Sequence, residues 1–321
     1  MLRNTDQNKD SLIPDLGKPG NASCVSGLSY KKKQANNSRK LQVSNGYLLE
    51  FDQIARILNY LLKRGAVKKI NRRELQKETG LADRQVEALV SMGSAMGLIK
   101  PRLQVLTSTG RLIAAHDTFF ERDGTLEWCH YVGAGSYRNL IWFEMFNRLL
   151  HEQSPISQEK CNERLRSELS GNYSRGTIKK GVRHEVHFVV DAYMNQGLSK
   201  LGLLKMLPDG SLYIHRYTGF APPVFAAMLY DYFAKKETTL CQVAEMVNTP
   251  GSPAALFKLD EVLLREQIED LHNRGWLRYE TTHNLDQVRL KPDFCALDFL
   301  TAYYEDRPPK AGTDQTWEDR L

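Results

Sequence analysis

LGLLKMLPDGSLYIHR, residues 201–216, decides how this chain folds. Two short apolar runs flank Pro208-Asp209-Gly210, where proline presets its own φ and glycine takes the backbone conformation that closes a tight turn. The stretch reads as a β-hairpin. Immediately upstream lies SRGTIKKGVRHEVHFVVDAY (174–193). There Ile178, Val182, Val186, Val189 and Tyr193 step by four, four, three and four, which makes one buried stripe along a helix expected over 176–198. YRNLIWFEMFNRLLH (137–151) and SQEKCNERLRSEL (157–169) read as two further helices. Three helices and then a hairpin is the order of a winged helix-turn-helix.

The same order recurs on both sides. Upstream, FDQIARILNYLLKRG (51–65) places Phe51, Ile54, Ile57, Leu58, Leu61 and Leu62 on one helical face. Asn71 is a good cap for a helix from Arg72 to Glu78, Thr79-Gly80-Leu81 makes a break, and another helix is expected from Asp83 to Met96. Leu75, Leu81, Val86 and Leu89 would close the three-helix core. LIKPRLQVLTSTGRLIAAH (98–116) then reads as two short strands, or a strand and a helix. Downstream, PPVFAAMLYDYFAKK, TTLCQVAEMV and DEVLLREQIEDLHNRGW read as three helices, closed by a hairpin in LRYETTHNLDQVRLK (277–291). The spacing of roughly 80 residues repeats architecture more than residues. The expected fold class is mainly α, built of tandem winged-helix (helix-turn-helix plus β-hairpin) units. The boundaries are a disordered basic tail (1–46), unit 1 (47–118), unit 2 (119–218), unit 3 (219–306) and a polar tail (307–321), with Asp298–Leu321 trailing off as a short helix and that tail.

Charge is unevenly placed. Residues 1–45 carry eight bases and three acids, so +5 of the net +6 lies there and the body is close to neutral. A nucleic-acid footprint must then be a local patch plus a basic tail (KKKQANNSRK, 31–40) rather than a globally basic surface. The five cysteines are scattered without a CxxC, which reads as reduced thiols in a cytoplasmic protein. The polar N-terminus lacks the apolar core of a signal peptide, and no apolar run is long enough to span a bilayer.

The third helix of a winged helix usually enters the major groove. In unit 3, Asp260–Leu271 holds Asp260, Glu261, Glu266, Glu269 and Asp270 against Arg265, a net −4 that repels phosphates and suits a partner-docking role better. In unit 1, Asp83, Arg84 and Glu87 nearly cancel, while Lys68, Lys69, Arg72 and Arg73 lie upstream, within reach of a backbone. In unit 2, Arg175, Lys179 and Arg183 form an i, i+4, i+8 row with Lys180 and His184 beside it, and no acid occurs from Arg175 to His184. The candidate DNA-binding residues are therefore Arg175, Lys179, Lys180, Arg183, His184, Arg72, Arg73 and Arg84.

The same helix also offers His184, Glu185, His187 and Asp191 as a weak metal constellation. The histidines are three apart, one short of the HExxH pair, and only Glu185 and Asp191 supply carboxylates. No cofactor is expected, with a divalent metal held open for the nickase reading. GAGSYRN (133–139) lacks the strand and the Gly-Lys-Ser/Thr end of a phosphate loop and reads as a linker. No Ser-His-Asp or Cys-His arrangement has supporting local context. Trp128, Trp142, Phe143 and Phe146 read as core.

Several separated segments carry a resemblance: TSTGRLIAAHDTFFERDGTLEWCHYV (107–132), with a glycine-bearing wing, an acid-rich turn and a Thr-Leu-Trp-like helix ending in His; WFEMFNRLL (142–150); and SPAALFKLDEVLLREQIEDLHNRGWLRYETTHNLDQV (252–288). In this order they resemble the bacterial domain-of-unknown-function family four-thousand-and-seven, over about Leu48 to Asp306. The chain departs from that pattern at its N-terminus, where a lysine-rich tail replaces a Gly-His, Phe and Arg-rich motif. The resemblance implies a component of DNA phosphorothioation and anti-phage defence clusters, working beside ATPase and sulfurtransferase-like subunits. It also implies an association with DNA nicking for the B proteins of the Ssp type, without assigning a catalytic residue here. Three readings follow: a double-stranded-DNA-binding subunit of such a modification or defence complex, a DNA nickase, or a protein-interaction adaptor or winged-helix transcription regulator.

Overall fold

The computed structural model describes residues 39–65, 71–171, 173–282 and 285–311. The expected basic tail lies outside them up to residue 38, as do Lys68, Lys69 and most of the polar tail. The described chain is mainly helical, with three small antiparallel sheets.

The first three helices are α1 (Phe51–Arg64), α2 (Arg72–Thr79) and α3 (Asp83–Ala95). Phe51, Ile54, Ile57, Leu58 and Leu61 are buried as the helical period requires. The Asn71 side chain accepts from Glu74 N at 2.8 Å, and Gly80 ends α2 in the left-handed conformation at φ 70°. β1 (Ile99–Lys100) and β2 (Val105–Leu106) then pair as a minimal hairpin, followed by α4 (Ser108–His116). Gly110 lets α4 start directly under Leu98, because a Cβ there would lie 2.0 Å from the Leu98 carbonyl oxygen.

α5 (Asp123–Gly135) is buried over most of its length. It precedes α6 (Leu140–Glu144), which continues through a π-helical turn (Met145–Leu149) into α7 (Leu150–Glu152). Next come β3 (Ile156–Ser157), α8 (Gln158–Leu169), α9 (Arg175–Met194), a 3-10 turn (Gly197–Leu201), β4 (Leu204–Met206) and β5 (Ser211–Ile214). The hairpin forms around the expected turn: Gly210 N donates to Leu207 O, and the Asp209 carboxylate accepts from Ser211 N. The last set is α10 (Pro222–Lys235), β6 (Leu240–Gln242), α11 (Val243–Asn248), α12 (Pro253–Leu256), α13 (Glu261–Asn273), β7 (Leu277–Glu280), β8 (Gln287–Leu290) and α14 (Ala296–Tyr304).

Two three-stranded sheets share one connectivity, β3-β5-β4 and β6-β8-β7. In each, a short strand ahead of the second helix pairs with the second strand of the hairpin. Sequence patterning places TTLCQVAEMV in a helix, whereas Leu240–Gln242 form β6; it leaves Ile156 between two helices and starts the second at Ser157, yet these two residues form β3. Strands of two or three residues are too short to display a period-2 pattern, so only the partner strand reveals them. α9 also ends earlier than expected, at Met194, where Asn195 N and Gln196 N bond back to Asp191 O.

Two further corrections concern the ends. Residues 39–46, expected to belong to the tail, pack against the body. Leu41 and Val43 are buried, Lys40 N donates to Arg138 O, and the Ser91 hydroxyl donates to Val43 O. This strap, residues 39–46, ties α3 to the start of α6. α14 does not trail off. Phe299 and Leu300 are buried, Gly124 N donates to the Tyr303 hydroxyl, and Thr125 Oγ1 lies 2.6 Å from the Tyr304 hydroxyl. The last helix is therefore part of the core around α5.

Candidate nucleic-acid interface

α9 starts at Ser174, whose side chain accepts from Thr177 N. Ile178, Val182, Val186, Val189 and Tyr193 are all buried, as their spacing demands. The inner end is fixed by a polar network. Trp142 Nε1 donates to the Tyr193 oxygen at 2.9 Å, and His130 Nε2 donates to Leu256 O at 3.1 Å. The remaining ring nitrogen, Nδ1, accepts from the Tyr193 hydroxyl at 2.5 Å. Burial keeps this imidazole neutral, with its pKa lowered to about 3. α5, α6, α9 and α12 are thereby held in one register. The outer half is crossed by the strap at Gly181, where a Cβ would stand 2.9 Å from Leu41.

Arg175, Lys179, Lys180, Arg183 and His184 are all exposed, and none has an ion pair among the described residues. Four neighbouring cations, Arg175, Lys179, Lys180 and Arg183, with His184 beside them and no acid between, leave their charge available to an external anion. The unit 1 candidates divide. Arg72 bonds Asp83 at 3.0 Å and Glu87 at 2.5 Å, so its charge is already matched. Arg73 and Arg84 are exposed and have no ion pair among the described residues. On α13, Arg265 is held by Glu261 and Asp286, leaving Glu266 and Glu269 exposed beside Val262, which is 62% exposed.

The metal constellation comes apart. Glu185 turns inward and accepts from Ser44 N at 2.9 Å and Ser44 Oγ at 2.5 Å, and burial pushes its carboxyl above the usual carboxylate range. Asp191 is also buried, accepting from the Asn195 and Gln196 side-chain amides. His184 and His187 point to solvent. At about 100° per residue the two histidines, three apart, share the outer face, while Glu185, one residue on from His184, turns to the buried side. Among the described residues no three His, Cys, Asp or Glu side chains gather where they would hold a metal ion.

Sequence reading missed the strap. Arg39, counted as a tail base, bonds Glu144 at 2.8 Å and stacks on Tyr137, its guanidinium carbon 3.9 Å from the ring centroid. Lys40 donates to Ser91 at 2.6 Å. The alternation of Leu41, Val43 and Ser44 with polar neighbours was the available signal, hidden in a composition that reads as tail. Sequence reading also passed over Glu127, in the first turns of α5. It is fully buried, with its pKa raised to about 8 by desolvation, and the Tyr217 hydroxyl donates to it at 2.7 Å.

The family model described as "Protein of unknown function (DUF4007)" matches residues 78–304. The chain belongs to this family. The match covers α3 to α14 and so includes α5, α9 and both three-stranded sheets. Two solved structures are similar in fold to this DUF4007 member. "Magnesium ion-bound SspB crystal structure" aligns with a TM-score of 0.72 at 13% identity, covering 88% of this chain and 92% of that one. "SspB crystal structure" gives 0.71 at 14%, covering 89% and 94%. A search of the curated proteins finds no match. No helix among the described residues is long and apolar enough to cross a membrane.

Proposed function

We propose that this chain is the duplex-DNA-binding subunit of a phosphorothioation-type or anti-phage defence assembly, built of tandem winged-helix units with α9 as the face that meets the backbone. The observation that carries this reading is the exposed, acid-free row Arg175, Lys179, Lys180, Arg183 and His184, which has no ion pair among the described residues. The shared strand order of the two larger sheets supports the winged-helix description. Likeness to SspB structures supports the setting, in which ATPase and sulfurtransferase-like subunits are the partners. Arg73 and Arg84 add backbone contacts, Arg72 adds little, and α13 with its exposed acids and Val262 serves a partner protein. A phosphate backbone meeting the row releases counterions, so log affinity falls against log salt with a slope of about −0.9 per neutralised phosphate.

The test is duplex binding across a salt series, for the parent and for Lys179→Glu with Arg183→Glu. Two reversals remove two attractions and add two repulsions while leaving the buried stripe intact. Affinity drops and the salt slope shallows by about two units, while stability stays within about 1 kcal/mol. Unchanged affinity would exclude α9. Incubating supercoiled plasmid with magnesium or manganese tests the nickase alternative in parallel: relaxation of the plasmid supports it.

A further inference from the structure

A cleft of about 340 Å³ opens between the strap, α3 and the β1–β2 turn, and the duplex-binding row uses none of its residues. Its size is at the small end for a ligand pocket, about 300–1,000 Å³. Val90, at the edge of the core, and Pro101, from the turn, contribute apolar surface, with Val86 buried behind them. Lys40 contributes an ammonium that donates to Ser91 Oγ, which uses one of its three N–H donors. Gln104 contributes a side-chain carbonyl oxygen that is buried without a hydrogen-bond partner among the described residues. Buried acceptors are normally satisfied, so an acceptor without a donor of its own beside a cleft marks where a ligand N–H can bind. Gln104 is held there with φ at 53°, a left-handed conformation that a residue with a Cβ adopts at a cost.

The charges argue against a simple anion trap. Arg72 lines the cleft but is matched by Asp83 and Glu87, and the Glu87 carboxylate lines it too. A ligand must offer an N–H to Gln104, an acceptor to Lys40 and a flat apolar body to Val90 and Pro101. Adjacent N–H and C=O groups on a planar ring are the edge of a keto nucleobase.

We infer that this cleft is a pocket for one unstacked nucleobase, with Gln104 Oε1 accepting from the base N–H and Lys40 donating to its carbonyl oxygen. The shared chemistry is that of guanine and thymine, presented on a free nucleotide or on an unpaired strand position. The inference goes beyond the duplex-binding reading and does not depend on the α9 row.

The experiment is saturation-transfer NMR on the full chain with dGMP, dTMP and inorganic phosphate, followed by displacement with a short oligo-dT strand. Both nucleotides give base-proton signals, and phosphate does not compete them away. Gln104→Leu weakens nucleotide binding about tenfold or more, the scale of one lost hydrogen bond, whereas Gln104→Glu keeps an acceptor and retains binding. The Lys179→Glu, Arg183→Glu protein keeps nucleotide binding even where duplex binding is lost. Displacement by the strand assigns the base to a polynucleotide, and its failure assigns it to a free nucleotide. No nucleotide signal, full competition by phosphate, or an unaltered Gln104→Leu protein overturns the pocket. Loss of nucleotide and duplex binding together in the double reversal does so as well, since one unspecific cationic surface would then explain both.

Discussion

Leu41→Ala tests whether residues 39–46 are a strap or a tail. Leu41 is 6% exposed and lies against Gly181, where a side chain on α9 would collide with it. Truncating a buried leucine removes its transfer free energy and leaves a cavity, which costs about 2–5 kcal/mol. The lower half of that range applies, because Leu41 sits near the edge of the core and its neighbours can partly collapse onto the space. A solvating tail would give a change within about 0.5 kcal/mol. Urea unfolding at neutral pH, followed by far-UV circular dichroism, separates the two. A midpoint indistinguishable from the parent, with the same slope, would refute the packing described here. The consequence reaches the interface: the strap packs on α9 at Gly181, so its loosening frees the helix that carries Lys179 and Arg183 to shift and should also weaken duplex binding in a protein that remains folded at low denaturant.

Other outcomes follow from the buried carboxylates and the helix end. Folding raises the Glu127 pKa to about 8, well above its unfolded value. Stability contributed by its neutral form is therefore full below the unfolded value and is lost as pH rises toward 8 and through it. Glu127→Gln should flatten that loss, unfolding at a higher temperature than the parent at pH 8.5 and showing less difference at pH 5; equal pH dependence in the two proteins would contradict it. Asp191→Ala should cost about 1–3 kcal/mol, since it orphans the Asn195 and Gln196 amides at the end of α9. His187→Ala, at an exposed position, should alter neither stability nor duplex affinity. Abolition by His187→Ala of any plasmid nicking would restore the catalytic reading of this helix.

The sequence by itself determined the helices with a strong apolar period and the hairpin at Pro208-Asp209-Gly210, because these depend on contacts within a few residues. It also determined that the row from Arg175 to His184 would carry basic charge without an internal acid. The tertiary structure decided what pairwise partners decide. β3 and β6 exist because β5 and β8 lie beside them, and neither strand is long enough to announce itself. Residues 39–46 have the composition of a tail, but the groove between α3 and α9 gives Leu41, Val43 and Ser44 a place to bury. Arg72 and Arg183 look alike in the chain. Only the approach of Asp83 and Glu87 neutralises Arg72, whereas Arg183 meets no acid among the described residues. The same logic dissolved the metal constellation, since spacing brings His184, Glu185, His187 and Asp191 close in sequence while the helix turns the carboxylates inward to Ser44, Asn195 and Gln196. Charge content is written locally, but the availability of that charge depends on which distant side chains the fold brings within a few ångströms.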